Sequence, residues 1–138
     1  MPKPPTGRVL GIAVAAGLVA AAARLWRAEV VGDSMTPSLA AGDRLLVVRG
    51  LPVRVGDVVA ADDPRHPTRT VIKRVVATTG AGLVLEGDNP RASTDSRVFG
   101  EVDATTVQGR AVYRYAPPER RGFVGRRPAS GPTPGLVP

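Results

Sequence analysis

The 138-residue sequence has no cysteine, one histidine and two lysines, and these shortages exclude several kinds of catalytic site. Without cysteine the chain can form no disulfide, thiol nucleophile or thiolate metal site. The single histidine, His66, lies in the stretch 62–67, which we expect to be an exposed loop, so zinc chemistry and a Ser-His-Asp triad both have little support. A serine nucleophile would therefore need another base, and lysine is the natural candidate.

Aromatic residues are also scarce, at 4% of the chain. Proteins that bind single-stranded nucleic acid stack bases on aromatic side chains, and this sequence offers no such platform. The formal net charge of +7 comes largely from the C-terminal tail and the flanks of an N-terminal apolar run. We therefore predict a lipid membrane, and no nucleic acid, as the partner of the basic residues.

The N-terminal apolar run covers residues 9–23 without a charge. Extended to Trp26 it approaches the lower limit of about 17 residues for a spanning helix, and an arginine on each side of that segment suits an interfacial anchor. We predict a single-pass transmembrane helix over residues 9–26, after a disordered segment 1–8. A buried or surface helix and a cleaved signal peptide are the alternatives.

From Glu29 onward short β-branched runs alternate with Gly, Pro and Asp, which is typical of an all-β domain. We predict a mainly β fold, a compact antiparallel sheet or barrel, over residues 29–116, and a disordered Pro/Arg-rich tail over 117–138. The predicted strands are Glu29–Val31, Arg44–Val48, Asp57–Ala60, Thr70–Ala77, Leu83–Glu86 and Thr106–Tyr113.

Lys73 is the one lysine that lies inside a predicted strand. Strand alternation places it on the same face as Val71, Val75 and Ala77, whereas Arg74 points to the opposite face. A lysine among apolar side chains loses its charge more easily, which a general base requires. An edge-strand lysine that discourages aggregation is the equally acceptable alternative.

Ser34 follows the predicted strand at residues 29–31, in a turn bounded by Gly32 and Pro37. Such a turn can expose a hydroxyl and direct backbone N–H groups at one point. A serine that caps a helix is the alternative. A third polar segment, 87–97, is rich in side chains that hydrogen-bond the backbone, and in it Asp95 and Arg97 could pair.

Taken in order, these segments resemble the signal peptidase I (S26) family over roughly residues 29–113. In its compact form this sequence is also similar to mitochondrial inner-membrane peptidases and to the small actinobacterial proteases that trim the propeptide of nickel superoxide dismutase. The matching motifs are Ser34-Met35-x-Pro37 with Leu39, Gly42-Asp43, Lys73-Arg74-Val75, Gly87-Asp88-Asn89, and Ser93-x-Asp95-Ser96-Arg97 with Gly100.

The resemblance implies a role for each matched polar residue. Ser34 would attack the scissile carbonyl and Lys73 would take its proton. Ser93 would orient the lysine, while Asp95 and Arg97 would brace the site. No cofactor or metal is implied.

The resemblance also implies that Met35 lines the substrate cleft. Gly32 departs from many bacterial members, which carry a serine there as a second oxyanion donor. The loss of one such donor can cost about 10²–10³ in rate.

The function implied is a membrane-bound serine endopeptidase that removes signal peptides from exported precursors with small residues near the cleavage site, with its catalytic domain on the extracytoplasmic side of the cell membrane. One alternative is maturation of nickel superoxide dismutase. A catalytically silent membrane scaffold is the non-enzymatic alternative.

Overall fold

The computed structural model describes residues 6–127, which form two α-helices and a seven-stranded sheet. Helix α1 is Thr6–Ala23, and a short helix, α2, is Ser96–Phe99. The strands are β1 (Leu25–Glu29), β2 (Arg44–Val48), β3 (Val58–Asp63), β4 (His66–Thr78), β5 (Leu83–Glu86), β6 (Val107–Ala116) and β7 (Gly122–Phe123).

All strand pairs in the sheet are antiparallel. The order is β1-β2-β6-β3-β4-β5, and β7 pairs with β6 outside this path. The prediction of a mainly β antiparallel fold is therefore confirmed. The prediction of a closed barrel is wrong: among the described residues β1 and β5 each pair with one strand only, so the sheet is open.

The sheet is covered on both faces, because alternate residues of each central strand contribute to two separate apolar clusters. In β3, Val58 and Ala60 join the first cluster, whereas Val59 and Ala61 join the second. The first cluster also contains Val30, Met35, Leu39, Leu45, Val47, Ile72 and Ala111, and the second contains Val75, Leu83, Leu85 and Val102. Strand β4, next to β3, is consequently buried on both sides at residues 72–75.

Strands β2 and β5 have the predicted bounds, whereas β4 begins earlier than predicted and includes His66. The expected loop at residues 62–67 is a tight hairpin between β3 and β4. Asp63 stabilises this hairpin, since its carboxylate accepts hydrogen bonds from the backbone N–H and the guanidinium of Arg65. His66 is exposed, as expected, although it belongs to a strand.

The predicted helix over residues 9–26 is wrong at its C-terminal end. Helix α1 ends at Ala23, and Leu25 and Trp26 belong to β1, where they pair with Val48 and Val47 of β2. Ladder pairing and the packing of Trp26 against the first cluster account for the strand. Within residues 6–127, no helix has the length and apolar character needed to cross a membrane.

Both predicted disordered ends contain ordered residues. Thr6 already belongs to α1, and residues 1–5 lie outside the described part of the chain. Residues 118–127, predicted as part of a tail, include a 3₁₀ turn and β7. They are ordered because they pair with β6 and pack on the first cluster. Residues 128–138 lie outside the described residues.

Candidate active site

Ser34 lies in a turn between β1 and β2 that is held by its own backbone. The carbonyl of Asp33 accepts hydrogen bonds from the N–H and the hydroxyl of Thr36, at 3.2 and 2.9 Å. The N–H of Leu39 donates to the carbonyl of Met35 at 2.9 Å. The turn therefore presents Ser34, which is partly exposed, from a fixed backbone.

The loop after β5 fastens this turn from outside. The backbone N–H of Asn89 donates to the carbonyl of Ser34 at 2.9 Å, and its side-chain amide donates to Asp33 O and Thr36 Oγ1 at 3.1 and 3.0 Å. Gly87 permits the close approach, since a Cβ there would lie 2.5 Å from Ser34 O. A larger residue at Gly87 would push the loop away from the serine.

Lys73 lies in β4 opposite Val59, and 5% of it is exposed. Its neighbours Val71 and Val75 pack in the second cluster, which is the apolar setting expected from strand alternation. The ammonium Nζ donates a hydrogen bond to Ser93 Oγ at 3.0 Å. Lys73 is thus buried, and its amine is oriented by a hydroxyl.

The environment of Lys73 lowers its pKa below the ordinary value. Burial has the largest effect, because it disfavours the charged ammonium. The carboxylates of Asp95 and, more weakly, Asp63 oppose the shift. The guanidinium groups of Arg97 and Arg69 add to it by repulsion. The net result makes the neutral amine accessible at lower pH than in water.

Asp95 is fully buried and collects hydrogen bonds from three neighbours. It accepts from Ser93 Oγ at 2.5 Å and from the Gly87 N–H at 2.9 Å, and it pairs with the Arg97 guanidinium. Burial raises the pKa of Asp95, but these hydrogen bonds outweigh burial and hold it well below its usual range. Because Ser93 donates its proton to Asp95, its oxygen is the acceptor for Lys73.

Ser34 and Lys73 border the same recess, whose volume is about 230 Å³. Its walls are mixed: Val30, Val31, Val71 and Ile72 form an apolar side, and Arg69 and Thr70 are among the polar lining residues. A second recess of about 290 Å³ also touches both residues and carries Arg65 and Arg69. Among the described residues no hydrogen bond joins the Ser34 hydroxyl to the Lys73 amine. A larger cavity, about 330 Å³, contacts neither of them.

The other two predicted site residues lie on either side of Ser34. Met35 borders the recess, but its side chain is fully buried in the first cluster, so it forms the floor. Gly32 has φ +77°, a conformation that favours glycine, so a serine there would be strained. Within residues 6–127 the Ser34 N–H donates to no protein acceptor, which leaves it free to bind an oxyanion.

Arg74 and Asp88 belong to the matched motifs, but the sequence alone assigned them no role. Arg74 and Asp88 form a buried ion pair with two hydrogen bonds of 2.7 Å, which joins β4 to the loop after β5. The sequence does contain a signal for this pair, since Arg74 and Asp88 carry opposite charges and lie next to Lys73 and Gly87. In the part of the chain that the structure describes, no group of three His, Asp or Glu side chains could hold a metal ion.

The same stretch of chain is similar to known peptidases. A family model described as signal peptidase, peptidase S26, matches residues 6–86, which include the Ser34 turn, β4 and β5. The mitochondrial ATP-independent inner membrane protease subunit 1a of Arabidopsis thaliana is 33% identical, over 68% of this chain and 72% of the relative.

Two human proteins are also similar. Mitochondrial inner membrane protease subunit 2 of Homo sapiens is 33% identical, over 67% of this chain and 68% of its own length. Mitochondrial inner membrane protease subunit 1 of the same organism is 27% identical, over 89% of this chain and 90% of its own length. Given this similarity and the match over residues 6–86, the chain belongs to the signal peptidase (peptidase S26) family.

Proposed function

We propose that this chain is a serine endopeptidase that removes N-terminal signal peptides from exported precursor proteins, with Ser34 as nucleophile and Lys73 as general base. The observation that carries the proposal is a buried lysine with a lowered pKa, oriented by Ser93, on the recess that Ser34 also borders. Membership of the peptidase S26 family supports the reaction class.

In the proposed reaction the neutral Lys73 amine accepts the Ser34 proton as Oγ attacks the scissile carbonyl. The carbonyl oxygen gains the negative charge and binds the Ser34 N–H. The Lys73 ammonium then gives its proton to the departing amine, and the C–N bond breaks. Water, deprotonated by the same amine, then attacks the acyl-enzyme carbonyl. The bond between the acyl carbon and Ser34 Oγ breaks, and Oγ takes the proton back from the Lys73 ammonium.

The recess favours small substrate side chains. Its volume of about 230 Å³ lies below the range of about 300–1,000 Å³ that is typical for drug-sized ligands, and five of its ten lining residues are β-branched. Such rigid walls reject larger groups sterically, since β-branched side chains have little rotamer freedom. This supports precursors with small residues near the cleavage site as substrates.

The mutational test uses Ser34→Ala and Lys73→Ala in the full chain. Each is expected to abolish cleavage of a precursor panel followed by mass spectrometry, while circular dichroism stays unchanged. Arg91→Ala is the matched control, because Arg91 is exposed and makes no hydrogen bond or ion pair with the described residues. Cleavage by Lys73→Ala near neutral pH would exclude the dyad.

The same panel separates the two alternative functions. Cleavage confined to a nickel superoxide dismutase precursor would indicate maturation of that enzyme. No cleavage by the unaltered chain, across the panel, would favour a catalytically silent scaffold.

We also propose that the chain acts at a membrane. The relatives are named as inner membrane proteases, and α1 exposes Ile12, Val14, Leu18 and Val19. Sedimentation with membranes tests this, and loss of sedimentation on Leu18→Glu is expected.

The single-pass arrangement with an extracytoplasmic catalytic domain stays a prediction. Because the chain has no cysteine, Arg91→Cys supplies a unique label site. Labelling of intact cells by a membrane-impermeant maleimide is the expected result, and labelling only after lysis would contradict it.

A further inference from the structure

The segment Gly122–Arg127, here called the C-terminal strap, crosses the sheet face that carries the first cluster. It starts at β7, where Phe123 pairs with Tyr113 of β6. The Val124 N–H then donates to the carbonyl of Val112 at 3.0 Å, and the Val124 side chain packs on the first cluster. The strap is therefore anchored before it reaches the turns beyond.

The middle of the strap touches the strand that carries Lys73. Arg74 Nη1 donates to the carbonyl of Gly125 at 3.2 Å and to the carbonyl of Gly56 at 2.8 Å. The rest of the Arg74 guanidinium holds Asp88 in the loop after β5. Arg74 thus joins the strap, the turn before β3 and the loop that fastens the Ser34 turn.

The end of the strap touches the Ser34 turn and the turn before β3. Arg127 Nη2 donates to Ser38 Oγ at 3.1 Å, and the Arg127 N–H donates to Gly56 O at 3.2 Å. Arg126 Nε donates to Asp57 Oδ1 at 3.0 Å, and Asp57 is 5% exposed. The six-residue strap therefore contacts both the nucleophile turn and the base-bearing strand.

We propose that the C-terminal strap sets the placement of Ser34 relative to Lys73, with Arg126 and Arg127 as its positioning residues. It lies outside residues 6–86, which the family model matches. Arg74 and Lys73 are consecutive in β4. A shift of the strap that moves the Arg74 side chain therefore also displaces the Lys73 amine. A misplacement of about 1 Å can cost about 10²-fold in rate. The proposal rests on the proposed function.

The first test compares Gly56→Ala with Gly50→Ala in the full chain. Both glycines have positive φ, +95° and +75°, so both variants carry the same kind of backbone strain. A Cβ at Gly56 would lie 2.1 Å from Arg127 O and displace the strap, whereas at Gly50 it meets open space. We expect Gly56→Ala to lower kcat at least about 10-fold with little change in KM. Gly50→Ala is expected to leave kcat unchanged.

The pH profile adds a readout that a loss of folded protein would not move. In Gly56→Ala the amine of a loosened Lys73 regains water, so its pKa rises and the midpoint of activity moves to higher pH. The charges that face Lys73 are unaltered in this variant; they are Asp95, Arg97, Arg69 and Asp63. An unchanged midpoint, or equal losses in the Gly50 and Gly56 variants, would overturn the proposal.

The second test leaves the backbone unstrained. Arg126→Ala/Arg127→Ala removes the side-chain contacts of the strap, and we expect the same fall in kcat and shift in pH midpoint. Arg126→Lys/Arg127→Lys keeps both cations and is expected to restore part of the activity. Full activity of the double alanine variant, in folded protein, would overturn the positioning role.

Amide hydrogen exchange separates this inference from the proposed function. In a Ser34→Ala chain, Arg126→Ala/Arg127→Ala is expected to speed exchange at Leu39 and Asn89, whose N–H groups brace the Ser34 turn. Unchanged exchange at both amides would overturn the inference, whatever the activity data show. Cleavage by Ser34→Ala would instead overturn the proposed function alone.

Discussion

Lys73 exchanges water for apolar neighbours on folding, and its protonation state determines whether it can accept the Ser34 proton. Burial is the main cause of its lowered pKa, and the nearby Arg69 guanidinium lowers it further. Arg69 borders both recesses beside Ser34, and within residues 6–127 it makes no ion pair. Its charge can therefore be removed without breaking a bond to the protein.

We predict that activity rises with pH through the folded pKa of Lys73, below the ordinary value for lysine. Arg69→Ala removes a repulsion that disfavours the ammonium, so the pKa rises and the activity midpoint moves to higher pH. Profiles of kcat against pH measure this, with Arg91→Ala as the matched control. A midpoint that stays in place or moves to lower pH would contradict the electrostatic role of Arg69.

His66, unlike Lys73, is expected to take no part in the reaction. It is exposed at the start of β4 and borders neither recess that touches Ser34. We expect His66→Ala to leave both kcat and the pH profile unchanged. If a histidine were the base, activity would instead rise through a pH of about 6.5. Loss of cleavage in a folded His66→Ala chain would refute the lysine mechanism.

At the scale of elements, β4 is buried on both faces at residues 72–75, where it carries two cations with different partners. Among residues 6–127, Lys73 has no carboxylate partner in hydrogen-bond contact, whereas Arg74 on the other face is paired with Asp88. Burial raises the pKa of Asp88, but the hydrogen bonds from Arg74 and Ser38 and the charges of Arg74 and Arg127 together hold it below its usual value. The pair links β4 to the loop that fastens the Ser34 turn.

We predict that Asp88→Asn destabilises the fold by about 3–5 kcal/mol, because it leaves Arg74 buried without its counter-charge. Urea unfolding followed by circular dichroism measures the loss. Glu119→Gln is the control, since Glu119 is exposed and makes no ion pair among the described residues. A loss below about 1 kcal/mol would show that water screens the pair.

At the scale of the whole molecule, three buried carboxylates have lowered pKa values: Asp63, Asp88 and Asp95. In each, burial raises the pKa, and hydrogen bonds from arginine and other donors reverse the effect. The unfolded chain therefore binds protons at these groups at higher pH than the folded chain does. Their contribution to stability is present above the unfolded pKa and is lost as the pH falls.

We expect the free energy of unfolding to fall progressively from about pH 5 downward, as the unfolded carboxylates near 3.8 begin to take protons. Urea titrations at several pH values between 7 and 2 provide the measurement. Asp95→Asn should flatten this dependence, because Asp95 has the strongest shift of the three. A stability that stays constant down to pH 3 would contradict the assignment.

Much of the fold was predictable from local patterns. Strands β2 and β5 follow directly from β-branched runs between Gly, Pro and Asp turns. The alternation that puts Lys73 with Val71 and Val75 is a property of any strand, so it survived into the structure. The pairing of Asp95 with Arg97 was also predictable, because two residues apart is within reach of a long side chain.

The elements that local patterns missed depend on distant partners. Strand β1 contains Leu25 and Trp26, which continue the apolar run of α1 in sequence, and only pairing with β2 makes them extended. The strap is Gly- and Arg-rich and has the composition of a tail, yet it is ordered because β6, Asp57 and Ser38 give it partners.

By itself the sequence determined the chemistry available to this protein and the strands that carry it. With no cysteine and one exposed histidine, Ser34 and Lys73 were the natural pair of reactive groups. Only the tertiary structure decided that Lys73 is buried, that Ser93 is its partner, and that Arg74 is bound to Asp88 and the strap. Burial and long-range pairing depend on which residues meet across the fold, and those contacts join positions 14 to 89 residues apart.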